Sequence, residues 1–149
     1  MQRGELDFAR HRNERTAASY LAPNFEPIAA ADRWRLVDGE MAVLPGVTVV
    51  PTPGHVPFHQ SVLVSDGGEH AFFFGDCVPT AAHVALPWIM AYDLEPLVTL
   101  ETKRWLLPRA EAEGWMVVFE HDPAVALGRI ARDSKGFACV PLDTQKGRT

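Results

Sequence analysis

Three apolar runs in this chain each lead into a residue able to hold a metal ion: PGVTVVPTPG into His55, AFFFG into Asp76, and WMVVFE into His121. A strand that is apolar along its whole length is usually buried on both faces, and in open α/β sheets ligands gather at the carboxyl ends of such strands. Two imidazoles and one carboxylate are therefore expected on a single rim. Zinc and similar divalent ions favour that ligand set, yet a hydrolytic two-metal centre takes more ligands than these three supply. The pattern reads as half of a metal site.

The 149 residues, 47% hydrophobic and 22% charged, suit one soluble domain with a core of two layers. A net charge of -5, with 14 Lys+Arg against 19 Asp+Glu and no basic stripe, argues against nucleic acid and for a small-molecule substrate. Arg10, Arg12 and Arg15, with Glu14 among them, read as the solvated face of a helix. Cys77 and Cys139 fit neither a disulfide framework nor a Cys-x-x-Cys motif, so reduced thiols in a cytoplasm are expected. The polar start MQRGELDFARHRNER is no signal peptide, and no apolar run is long enough to suggest a membrane span.

Along the chain, one or two short helices are expected from Arg3 to Tyr20, then a connector broken by Pro23 and Pro27 with a helical turn over Glu26 to Ala31. Asp38-Gly39 between Trp34–Val37 and Met41–Leu44 predicts a hairpin, followed by a strand over Val47–Pro51. A second hairpin joins Gln60–Ser65 to Ala71–Phe74 and delivers Asp76. Asp93 reads as the cap of a helix starting at Leu94, which Pro108 should kink or break and Gly114 should end. Trp115–Phe119 completes a right-handed βαβ unit that carries Asp76 toward His121. A closing hairpin over Ala124–Arg132 and Phe137–Leu142 precedes a frayed polar tail, Asp143–Thr149.

The individual candidates each have an ordinary alternative. His55 follows the rigid turn Thr52-Pro53-Gly54, a sensible mount for a ligand, but a turn histidine can simply donate to a carbonyl; His59 reads as its supporting or structural partner. Asp76 at the end of a buried strand needs a metal, an arginine or several N–H donors, the alternative being a turn cap. His121 alone would pass for an exposed turn histidine, and Glu120 and Asp122 are as suited to solvent as to orienting its ring. His83 reads as loop packing, in a long segment with Trp88, Met90 and Tyr92 that could line a pocket mouth. No Gly-x-Ser-x-Gly elbow, phosphate loop or dinucleotide fingerprint is present, so metal-assisted chemistry is what remains.

Thr52-Pro53-Gly54-His55, His59-Gln60-Ser61, Gly75-Asp76 and Glu120-His121-Asp122 together resemble the later motifs of metallo-β-lactamase-fold hydrolases, over about Gly46 to Pro123. The wording is most similar to the lactonase-type and uncharacterised hydrolase branches. The resemblance implies an α/β fold with two sheets covered by helices, the αββα sandwich, with residues 1–149 as a single partial domain forming its carboxyl-terminal half. It also implies that His55 binds one metal, Asp76 bridges two as the residue central to catalysis, and His121 binds the other. The family's first motif, His-x-His-x-Asp-His, supplies four further ligands and has no counterpart here, so MQRGELDFA reads as sequence that normally follows it and Met1 as an internal start or truncation. Phe58 stands where the family has glycine and is expected to crowd the site, and no tyrosine closely follows Asp76.

What the resemblance implies is a metal-dependent hydrolase of a lactone, ester, thioester or amide, in which a metal-bound hydroxide attacks the carbonyl, impaired in this chain. Two zinc ions are expected in a complete family member and none or one here. The alternative is a non-catalytic half-domain that binds metal or self-associates into a homo-oligomer through the sheet surface left exposed.

Overall fold

The computed structural model describes residues 1–143. Its elements are helices α1 (Arg3–Arg10), α2 (Ala22–Ala30) and α3 (Pro96–Ala112), and strands β1 (Met41–Leu44), β2 (Val47–Pro51), β3 (Gln60–Asp66), β4 (Glu69–Phe73), β5 (Met116–Val118), β6 (Leu127–Asp133) and β7 (Gly136–Pro141). The strands form one seven-stranded sheet in sequence order, where two sheets were expected of the complete fold. Every pairing is antiparallel except β4 with β5, whose register sets Phe72 against Val117. A parallel pair needs a crossover, and α3 supplies it. This is the expected βαβ unit, with both strands ending on the side of Asp76 and His121.

One face of the sheet carries the core. Phe72, Leu63, Val50, Val117 and Ile130 are buried with Leu106, Leu107 and Ala110 of α3. Phe72 stacks on Trp115 with ring centroids 4.7 Å apart and meets Phe74 edge-on at 5.2 Å. The opposite face bears two rows of register partners. Met41, Val49, Val62, Phe73, Val118 and Leu127 form one, and Leu44, Val47, Val64, Ala71, Met116, Arg129 and Val140 the other. Register partners point the same way, so these rows make an almost wholly apolar surface. Leu44, Val64 and Val140 are exposed on it.

Several sequence expectations are corrected. One of the one or two short helices expected from Arg3 to Tyr20 forms, as α1; a second does not, because the Asn13 carboxamide accepts from the N–H groups of Arg15 and Thr16 and offers residues 13–16 a turn. The connector with two prolines is helix α2, in which Pro23 occupies the first turn, where an N–H has no partner anyway. Trp34–Val37 forms no strand and Asp38-Gly39 no hairpin. The Gln2 carboxamide takes both backbone groups of Gly39 at 3.0 Å, and Val37 forms a parallel bridge to Gln2. The hairpin turns instead at Pro45-Gly46, where Gly46 has φ +73° and a Cβ would lie 2.6 Å from the Ser65 carbonyl oxygen. Helix α3 continues through Pro108 to Ala112, since Leu106, Leu107 and Ala110 anchor the turns on both sides of it in the core. Beyond β7, the expected frayed tail falls mostly on residues 144–149, outside the described residues.

Lys103, wholly buried on α3, donates from its ammonium to the carbonyls of Ala85, Leu86 and Trp88 at 2.7, 3.2 and 2.9 Å. It thereby ties the segment after Asp76 to the helix. Burial pulls this amine down to about 8. Between that value and its ordinary range near 10.5 the unfolded chain holds the extra proton, so Lys103 makes stability rise with pH across this window. Lys103→Met is expected to cost about 2 kcal/mol near pH 7 through lost charge-assisted hydrogen bonds, and the gap to the wild type should widen from pH 8 to 10. Urea unfolding at several pH values checks both signs.

Candidate metal centre

Gly54 sets the position of His55. Its φ is +134°, and a Cβ there would come within 2.2–2.5 Å of Thr99 on α3, so only glycine lets the loop lie against the helix. The loop is tied down further by the N–H groups of Leu94 and Glu95, which donate to the carbonyls of His55 and Gly54. Asp93 is not the helix cap: Glu95 holds that position without a side-chain bond. Buried Asp93 instead faces His55 Nδ1 at 3.0 Å with one oxygen, while the other accepts from the Thr99 hydroxyl at 2.6 Å. This carboxylate raises the His55 pKa above its ordinary value, against the cost of burial. With Nδ1 so engaged, Nε2 is the atom His55 presents to the rim.

Asp76 lies in a short 3₁₀ turn, Gly75–Cys77, just beyond β4. Its backbone N–H donates to His59 Nε2 at 3.2 Å. That bond fixes the tautomer, because a nitrogen accepting from an amide carries no proton. The His59 proton therefore sits on Nδ1, which meets the Thr52 hydroxyl at 2.8 Å and carbonyl at 3.1 Å. Burial lowers the pKa of His59, in keeping with a neutral ring. Thr52 continues to Ser61, whose hydroxyl donates to the Phe74 carbonyl. His59 thus supports the rim through the amide of Asp76, where the sequence suggested a partner of His55.

The rim gathers all three sequence candidates. His55 Nε2 lies 3.5 Å from one oxygen of Asp76, and His121 Nε2 lies 3.2 Å from the other. Glu120 joins them, with an oxygen 3.6 Å from His121 Nε2, and ligand atoms of Asp76, Glu120 and His121 all fall within 4.8 Å of one another. Burial, and then the charge of Asp76, raise the Glu120 pKa. Carboxylate and imidazole donors in this arrangement fit a divalent cation. Asp122 takes no part: it accepts from the N–H groups of Ala81, Ala124 and Val125 and joins two loops.

A pocket of about 750 Å³ opens over this rim. Met90, Tyr92 and Leu94 line one part of it, and Glu5, Thr16 and Tyr20 another. The Tyr20 hydroxyl donates to Glu5 at 2.6 Å, while the second Glu5 oxygen is buried without a partner and burial raises its pKa. Sequence reasoning missed these N-terminal residues, which carry no motif, and took Asp93 for a cap. His83 packs on Thr80, as expected of a loop residue. Phe58 does not crowd the rim: its ring lies flush on Gly4 and lines a separate groove.

No protein-family model matches the chain. Solved structures do. A probable metal-dependent hydrolase from Staphylococcus aureus superposes with a TM-score of 0.82 at 23% identity, over 96% of this chain and 51% of its own. The hydrolase AbOPH of the β-lactamase superfamily gives 0.78 at 23%, over 97% and 54%. The chain has the metallo-β-lactamase fold. AidC, a dizinc quorum-quenching lactonase, gives 0.77 at 17% identity, over 96% and 54%. A curated Bacillus N-acyl homoserine lactonase is 36% identical over 64 residues, which are 43% of this chain and 22% of that protein. The chain thus spans about half the length of these structures.

Asp93→Asn keeps an acceptor beside His55 but removes its charge. The His55 titration midpoint of the metal-free protein should then fall below the wild-type value, measured by proton–nitrogen NMR.

Proposed function

We propose that this chain, a single partial domain, supplies the later half of the metal centre of a metallo-β-lactamase-fold hydrolase that opens a lactone or a related ester. The observation that carries this reading is the carboxylate of Asp76, which turns one oxygen to His55 Nε2 and the other to His121 Nε2. Asp76, His55 on one flank and His121 on the other would be the residues that hold the metal. Zinc is the ion proposed, two per complete centre and none or one in this chain alone. Divalent ions at such a centre polarise a carbonyl and lower the pKa of water.

The chain's own residues serve that chemistry by placement. His59 keeps the Asp76 backbone fixed, Asp93 keeps His55 Nε2 turned to the rim, and Met90, Tyr92 and Leu94 offer an apolar wall to an acyl group. The names of the relatives, N-acyl homoserine lactonase and dizinc lactonase, favour a lactone over a thioester or amide. The free thiols Cys77, pushed up to about 12 by burial, and Cys139 support a reducing compartment, the cytoplasm.

The test is reconstitution. The purified chain should hold at most one zinc and leave N-acyl homoserine lactones intact. Mixed with a separately expressed half-domain that carries His-x-His-x-Asp-His, it should hold two and open the ring, with Asp76→Ala lowering kcat/KM at least tenfold. Two tightly held zinc ions and lactone turnover by the chain alone would overturn the half-site reading.

The two apolar rows on the uncovered sheet face favour a second reading, self-association of a non-catalytic half-domain. Sedimentation velocity should then show a concentration-dependent dimer that Val64→Lys converts to monomer. A wild-type monomer at all concentrations rules this out.

A further inference from the structure

The two carboxylates on the rim have no cationic counterpart. Among the described residues, no lysine or arginine comes within ion-pair distance of Asp76 or Glu120, and the two oxygens of Asp76 lie beside the imidazoles of His55 and His121. A half-buried carboxylate without an arginine or several N–H donors is costly, and a second carboxylate beside it adds repulsion. A divalent cation between them would offset both terms.

The spacings bear on the same point. The shortest histidine contacts in this site are His59 with Thr52 at 2.8 Å and His55 with Asp93 at 3.0 Å. His121 Nε2 instead stands 3.2 Å from Asp76 and 3.6 Å from Glu120, longer than a strong charge-assisted bond. Two donor atoms each about 2.1 Å from one tetrahedral ion lie about 3.4 Å apart. The observed pair brackets that separation. His121 is 60% exposed at its side chain, which leaves room for water to complete the shell.

Building on the metal-centre reading above, we infer that Glu120 is itself a metal ligand, and that Asp76, Glu120 and His121 form a one-ion site complete within this chain. Two carboxylates and one imidazole with open positions make an adequate shell for zinc or a similar divalent ion. Their two negative charges match the cation. Glu120 and His121 are adjacent in the loop after β5, and Asp76 comes from the turn after β4, so the parallel β4–β5 pair alone assembles the site. His55 lies on the far side of Asp76 and is left for a second ion.

Zinc titration calorimetry on the full 149-residue chain tests this, with cobalt absorption as an independent readout of donor set. One ion per chain is expected. Glu120→Gln should weaken zinc binding at least tenfold and change the cobalt spectrum, whereas Glu69→Gln, an exposed acid on β4, should stay within twofold of wild type. Circular dichroism confirms that each variant is folded. Zinc binding by Glu120→Gln within twofold of wild type overturns the inference, as does a folded wild-type chain that takes up no ion at millimolar zinc. Neither result touches the hydrolase reading, which stands or falls on lactone turnover after reconstitution.

Discussion

The amide of Asp76 gives its hydrogen to an imidazole, and the rest of the rim is arranged around that bond. It forms only while His59 Nε2 is unprotonated, so the ring must stay neutral with its proton on Nδ1. Burial in the Thr52 and Ser61 network enforces this. Gly75 is part of the same arrangement. With φ +57° it turns the chain sharply at the end of β4, and a Cβ there would meet His59 Nε2 at 2.8 Å. The strand, the glycine and the histidine thus leave Asp76 one backbone position, from which its two oxygens reach toward His55 and His121.

Those two imidazoles arrive by different means. His121 is delivered by topology: a parallel pair with a helical crossover must end both strands on the same side. His55 is delivered by contact, because Gly54 allows the loop to settle on Thr99 at the start of α3. The same first turn positions Thr99 to hold Asp93, and Asp93 to orient His55. One helix therefore sets both the crossover and the orientation of the ligand candidate on the other flank. Its buried Lys103 extends that control to the segment leading to the pocket wall.

The parts legible in the sequence were those with a local or periodic cause. Apolar runs announced β2, β4 and β5, Asp66-Gly67-Gly68 announced the β3–β4 turn, and the spacing of Asp76 and His121 around a helix announced their convergence. Long-range bonds decided what was misread. Asp38-Gly39 has strong turn chemistry, but Gln2, thirty-seven residues away, occupies the Gly39 backbone and Val37 pairs with the amino terminus. Asp93 has the residue type and position of a helix cap, yet a buried carboxylate gains more from an imidazole and a hydroxyl than from one exposed amide. Glu5 and Tyr20 reach the pocket through the packing of α1 and the turns after it, which no short motif records.

Glu120 shows why residue type alone underdetermines such a site. In an extended segment, neighbours alternate sides, which would turn Glu120 away from any ligand held by His121. The segment after β5 is not extended: β5 ends at Val118, and Asp122 ties the following loop to Ala81 by accepting from its N–H. That bend brings consecutive side chains to one side. The carboxylate that the sequence left as suited to solvent as to the site then faces Asp76 across the same imidazole, and the charge that a lone strand-end aspartate could not balance becomes a pair suited to one cation. The distinction between half of a two-ion centre and a small site sufficient for one ion rests on this bend.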